Sequence, residues 1–133
     1  MYSSSNRRNT MSGGFRILLA DDHPLMRQAI RTILENYADV SIIGEASNGV
    51  EAVELVKALK PDVIIMDINM PRMDGIEATK HIKTVQPSLI VIGLSVNDAG
   101  QVTEAMKGAG ADVVLVKDAA TEQLYDAIVA LAQ

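Results

Sequence analysis

Asp21 and Asp22 follow the apolar run Phe15-Arg16-Ile17-Leu18-Leu19-Ala20, and Asp67 closes a second run, Val63-Ile64-Ile65-Met66. Two later apolar runs lead to Ser95 and to Lys117. Three carboxylates with a hydroxyl and an ammonium beside them can hold a divalent cation and act on a phosphoryl group. The positive charges offset the repulsion between an anionic nucleophile and an anionic donor. This chemistry needs all five groups in one place. A parallel α/β sheet supplies such a place, because the carboxyl ends of its strands share one edge, where loops meet and ligands bind.

The elements that must position these residues are legible as alternation. Five apolar runs, Phe15 to Ala20, Val40 to Ala46, Val63 to Asp67, Leu89 to Leu94 and Val113 to Val116, alternate with five amphipathic segments. That pattern predicts βα units and a parallel sheet. Leu25, Ala29, Ile33 and Leu34 recur at helical spacing, as do Val50, Val53, Val56 and Leu59, and Leu124, Ala127, Ile128 and Leu131. The third and fourth runs are continuously apolar, as strands covered on both faces are, whereas Ser41-Ile42-Ile43-Gly44-Glu45 is mixed and suits an edge. Turn chemistry marks the joins: Asn48-Gly49, Pro61-Asp62, Asp74-Gly75, Pro87-Ser88 and Gly108-Ala109-Gly110. The fourth helix, expected over Asn97 to Lys107, contains Gly100 and a thin stripe of Val102, Ala105 and Met106. It is the least stable of the set, by about 1 kcal/mol for the glycine alone.

Length and charge narrow the classes. A chain of 133 residues fits one domain with a real core. The absence of cysteine excludes disulfides and thiolate metal sites, and two histidines are too few for a conventional zinc site. A formal charge of −5 argues against a nucleic-acid surface. The polar stretch 1–14 has no apolar core of signal-peptide type and reads as a disordered tail, leaving 15–133 as the folded domain. No segment has the length and apolarity of a membrane span, so the chain reads as a cytoplasmic protein without a membrane partner.

Each candidate residue also has an ordinary role. Asp22, two residues before Pro24, suits a helix cap, Asp21 a loop, Asp67 a strand end and Ser95 the cap of the fourth helix. Asp74-Gly75 and Met70-Pro71 read as turn-makers, and His23 and His81 as surface histidines. Coincidence is nevertheless a poor account of four strands delivering these groups to the same edge. Together Leu19-Ala20-Asp21-Asp22, the stretch from Asp67 to Gly75, Leu94-Ser95 and Val116-Lys117 closely resemble the receiver domain of two-component response regulators. Asp21-Asp22-His23-Pro24, and Lys117-Asp118-Ala119 with no proline after the lysine, look most like the subfamily named for NarL and FixJ.

The resemblance implies a flavodoxin-like (βα)5 fold, a five-stranded parallel sheet in order 2-1-3-4-5, with helices one and five on one face and two, three and four on the other. It implies that Asp67 is the phosphoacceptor. Mg²⁺ would be held by Asp22, Asp67 and the Asn69 carbonyl directly and by Asp21 through water. Ser95 and Lys117 would engage the phosphoryl oxygens. It further implies a sensor histidine kinase or phosphotransfer protein as donor, a phosphorylation-dependent homodimer, a transcription-regulating output, and no direct binding of nucleic acid by this chain. A switch of this kind modifies itself and is not an enzyme. Two positions depart from the pattern: Val114 stands where the family often has an aromatic residue, and Val96 where it often has alanine. A haloacid-dehalogenase-type hydrolase is disfavoured because Asn69 stands where that family has a second acid. The other competing readings are an unphosphorylated protein-interaction module that keeps the fold and a stand-alone receiver acting in a phosphorelay without a DNA-binding output.

Overall fold

The protein is described by a computed structural model over residues 14–96 and 100–133. The five runs form β1 (Phe15–Ala20), β2 (Val40–Ala46), β3 (Val63–Asp67), β4 (Ile90–Ser95) and β5 (Val113–Val116). They alternate with α1 (Pro24–Leu34), α2 (Gly49–Leu59), α3 (Gly75–Val85), α4 (Gly100–Ala109) and α5 (Lys117–Leu131). The sheet order is β2-β1-β3-β4-β5, with every neighbouring pair parallel. This is the doubly wound, flavodoxin-like order.

Strand alternation splits the core into two layers. Leu18, Ala20, Ile64 and Met66 pack toward α2, α3 and α4, while Ile17, Leu19, Val63 and Ile65 pack toward α1 and α5. All of β3 is buried, as its unbroken apolar run requires, and the mixed β2 lies at an edge. Each fully buried Ile or Leu in β1 and β3 contributes roughly 1.5–3 kcal/mol through its removal from water.

Two boundaries differ from the sequence pattern. The fourth strand begins at Ile90 and takes in Ser95, because the Leu89 N–H turns back to the Gln86 carbonyl at 3.0 Å while its side chain stays buried. The described fourth helix opens at Gly100 and runs to Ala109, two residues past Lys107, and Asn97 to Ala99 lie outside the described residues. The expected tail 1–14 also lies outside them except for Gly14. That residue has φ 65° and passes so close to Asp39 that a Cβ would sit 2.2 Å from its carbonyl oxygen. Among the described residues no helix is long and apolar enough to cross a membrane.

Two joins bear on the carboxyl edge of the sheet. Asp74 caps α3 by accepting from the Glu77 N–H at 2.9 Å, and Gly75 N–H donates to the Ile68 carbonyl at 2.7 Å. A Cβ on Gly75 would lie 2.3 Å from the Asp67 carbonyl, so only glycine lets α3 start against the end of β3. At the opposite edge Arg16 donates from Nη1 to Lys60 O (2.7 Å) and from Nη2 to Leu59 O (2.8 Å), placing a cation on the open carbonyls at the end of α2.

Candidate functional site: an acidic pocket at the carboxyl edge

Register brings the acids together. Ala20 pairs with Met66, so the residues that follow them, Asp21 and Asp67, leave neighbouring strands side by side. Both are 1% exposed. Lys117 follows Val116, the last residue of β5, and opens α5; its Nζ reaches Asp21 Oδ2 at 3.1 Å and Asp67 Oδ2 at 3.2 Å. Ser95 ends β4, one residue beyond the partner of Asp67, and is buried. Asp22 is 31% exposed at the pocket rim, and Asn69 is exposed with its N–H donating to Asp67 Oδ1 at 3.2 Å. The structure thus gathers Asp21, Asp22, Asp67 and Lys117 into one pocket, with Ser95 and Asn69 on the chain segments that border it.

The electrostatics of this pocket are strained. Burial, then repulsion from Asp21, pushes the Asp67 carboxyl up to about 6 against the opposing pull of Lys117. Lys117 is itself held above its ordinary value: burial pulls it down, but the carboxylates of Asp21 and Asp67 outweigh that. Asp21 Oδ2, Asp22 Oδ1 and Asp67 Oδ2 are buried and make no well-aligned hydrogen bond among the described residues, although Lys117 lies at ion-pair distance from the oxygens of Asp21 and Asp67 and His23 Nδ1 lies 3.1 Å from Asp22 Oδ1. Three carboxylates with such oxygens fit a hard divalent cation, whose oxygen ligands they are.

Some parts of the site escaped the sequence pattern. Asp22 does not cap α1: His23 occupies the cap position without a side-chain bond to the helix. Its N–H donates to Asp21 Oδ1 at 2.9 Å, and its Nδ1 lies 3.0 Å from Asp21 Oδ1 and 3.1 Å from Asp22 Oδ1. Arg27 Nη1 donates to the Asp21 carbonyl at 2.6 Å while its Nε donates to Glu45 at 2.9 Å, pinning the loop to β2. Helical periodicity cannot reveal contacts between residues so far apart in the chain; the pairing of Arg27 with Glu45 spans 18 positions. Of the two departures, Val114 is half-buried against the α4 side of the core, and Val96 is 58% exposed beside Ser95.

Comparison with known proteins agrees with this geometry. The family described as "Response regulator receiver domain" matches residues 17–129. The nitrate/nitrite response regulator protein NarL of Escherichia coli K12 is 37% identical over 113 residues, covering 84% of this chain and 52% of that protein. The uncharacterized transcriptional regulatory protein YxjL of Bacillus subtilis is 41% identical over 118 residues, covering 89% of this chain and 54% of that protein. The chain therefore spans about half the length of these curated relatives. The signal receiver domain of the putative response regulator NarL from Mycobacterium tuberculosis superposes with a TM-score of 0.84 at 31% identity, covering 90% of this chain and 96% of that one. A match across nearly all of the folded residues, with a shared fold, makes descent plain: this chain belongs to the response regulator receiver domains of two-component signalling, of the NarL type.

Proposed function

We propose that Asp67 accepts a phosphoryl group from the phosphohistidine of a sensor histidine kinase or phosphotransfer protein. The observation that carries this reading is a buried carboxylate at the end of the central strand, flanked by Asp21 and paired with Lys117. With its pKa near 6, Asp67 is largely ionised at neutral pH and available as a nucleophile. One of its oxygens forms the new O–P bond as the N–P bond to the donor imidazole breaks, and the leaving imidazole takes a proton from solvent. Lys117 pairs with the phosphoryl oxygens, and the Ser95 hydroxyl donates to them once they are in place. Asp22, Asp67 and the Asn69 carbonyl would hold Mg²⁺ directly, with Asp21 acting through water. When bound, the ion neutralises charge on the phosphoryl oxygens.

The product is an acyl phosphate on the protein itself, so the chain acts as a switch and not as an enzyme with turnover. The likeness to NarL and to a transcriptional regulatory protein supports a transcription-regulating output. The net charge of −5 supports signalling through protein association, including a phosphorylation-dependent homodimer, over direct contact with nucleic acid by this chain. Residues 15–133 serve as the receiver unit, and 1–14 as a tail outside it.

The test is intact mass after incubation with acetyl phosphate, with Mg²⁺ and with chelator. One phosphoryl group is expected, only with Mg²⁺, and none in Asp67→Asn. Modification that persists in that variant, or that ignores chelation, overturns the assignment.

A further inference from the structure

His23 is the one pocket residue that the phosphoryl chemistry leaves without a role. Its ring lies at the mouth of the acidic cluster, 64% exposed, with Nδ1 turned inward to Asp21 Oδ1 at 3.0 Å and Asp22 Oδ1 at 3.1 Å. Neighbouring ligands around an octahedral ion with bonds of about 2.1 Å lie roughly 3.0 Å apart. The imidazole nitrogen and the Asp22 oxygen therefore stand at the spacing of adjacent ligands, while the same nitrogen is within hydrogen-bond distance of Asp21 Oδ1, the acid that acts through water. One ligand atom from each of Asp21, Asp22, His23 and Asp67 falls within 4.8 Å of the others. That span is only slightly wider than the roughly 4.2 Å between opposite ligands of such an ion.

We propose that His23 lends its Nδ1 to the cation of this pocket, making it a mixed oxygen and nitrogen site that takes Mn²⁺, Co²⁺ or Zn²⁺ more tightly than an all-oxygen site would. The inference rests on the reading of the pocket as a metal site. Mg²⁺ is hard and prefers oxygen, whereas imidazole suits the later first-row metals, so the nitrogen changes selectivity more than it changes Mg²⁺ binding. His23 makes no cap bond to α1 and most of its ring is in solvent, so the ring can tilt toward an ion at little cost in packing. Arg27 holds the Asp21 carbonyl and thereby fixes the loop from which the ring projects.

The chain contains only two histidines, and His81 lies on α3 facing Glu77 at 3.3 Å, so the source of an imidazole signal can be assigned without ambiguity. The experiment loads the full chain with one equivalent of Mn²⁺ and records pulsed electron paramagnetic resonance. Wild type should show modulation from a directly bound imidazole nitrogen, lost in His23→Ala and retained in His81→Ala. Calorimetric titration should show Co²⁺ affinity falling by about tenfold in His23→Ala while Mg²⁺ affinity falls much less. Stoichiometric Mn²⁺ with no nitrogen modulation, or equal losses for Co²⁺ and Mg²⁺, overturns the role of His23 and leaves the acidic metal site standing. Failure of wild type to bind any of these ions overturns both. Circular dichroism of His23→Ala checks that the fold is kept.

Discussion

α2 and α4 lie on the same face of the sheet, yet they are fastened very differently. α2 is closed at its start by Asn48, which accepts from the Glu51 N–H, while Glu51 reaches back to the Ser47 N–H and hydroxyl. It buries Gly49, Ala52 and Val56, and Arg16 covers its last carbonyls. In α4 the one buried residue is Met106. A Cβ added at Gly100 or Gly108 would meet nothing within 4 Å. The helix that follows the hydroxyl-bearing strand is thus the lightly anchored one, and the helix on the far side of the pocket is locked. Elements that move in a switch come from the low-stability end of a fold, which favours α4 as the part that answers an event at Asp67.

The largest way to sharpen the contrast is to remove the one buried side chain of α4. Met106 fills the space that Gly93 leaves open, with its Cγ 3.0 Å from where a Cβ on Gly93 would sit, and its sulfur accepts from Thr79 Oγ1 at 3.8 Å. Met106→Ala should cost about 3 kcal/mol in urea unfolding. If α4 hangs on this residue, hydrogen exchange should accelerate throughout α4 and remain slow in α2. Uniform acceleration in both helices would mean that α4 is no looser than its neighbour.

A second test concerns the pocket that both helices flank. Unfolded Asp67 releases its proton near 3.8, whereas the folded protein keeps it until about 6. Between those values the folded state binds the extra proton, so the contribution of Asp67 to stability is greatest below about pH 4 and falls as pH rises to about 6. The shift corresponds to roughly 3 kcal/mol for metal-free protein at neutral pH. Urea titrations across pH 4 to 7 should show that decline in wild type and a flatter profile in Asp67→Asn. Added Mg²⁺ at pH 7 should recover part of the loss in wild type alone. Parallel profiles for the two proteins would show that Asp67 is not the strained group.

How much of this was readable beforehand depends on the kind of signal. The strands and the acidic edge were legible because apolar runs and the residues that end them are local in sequence, and β3 and β2 declared themselves central and peripheral through continuous and mixed character. The two-layer placement of the helices came from family resemblance and matches the observed packing. What stayed hidden was long-range polar pairing. Nothing around Arg27 points to Glu45, and although Asp21 and Asp22 directly precede His23, their order in the chain does not show that its ring turns back to them. Gly75 read as a turn residue, but its necessity comes from the Asp67 carbonyl that it touches across the loop.

The smallest test is made on the two open glycines of α4. Neither has a positive φ, and neither side-chain position is obstructed, so alanine fits the native backbone at both. Each of Gly100→Ala and Gly108→Ala should stabilise the protein by about 0.5–1 kcal/mol, partly by restricting the unfolded chain. Signalling is where the contrast shows. Val114 is too short and too stiff at its first side-chain torsion to carry motion into β5 as an aromatic ring would. A response to beryllium fluoride should therefore run from Ser95 into α4, with larger amide shifts over 100–107 than over 113–116. In the doubly substituted protein the shifts in α4 should shrink while those of Lys117, which pairs directly with Asp67, persist. Shifts centred on β5 in wild type, or α4 shifts indifferent to both alanines, would show that the weak anchoring of α4 is not what transmits the signal.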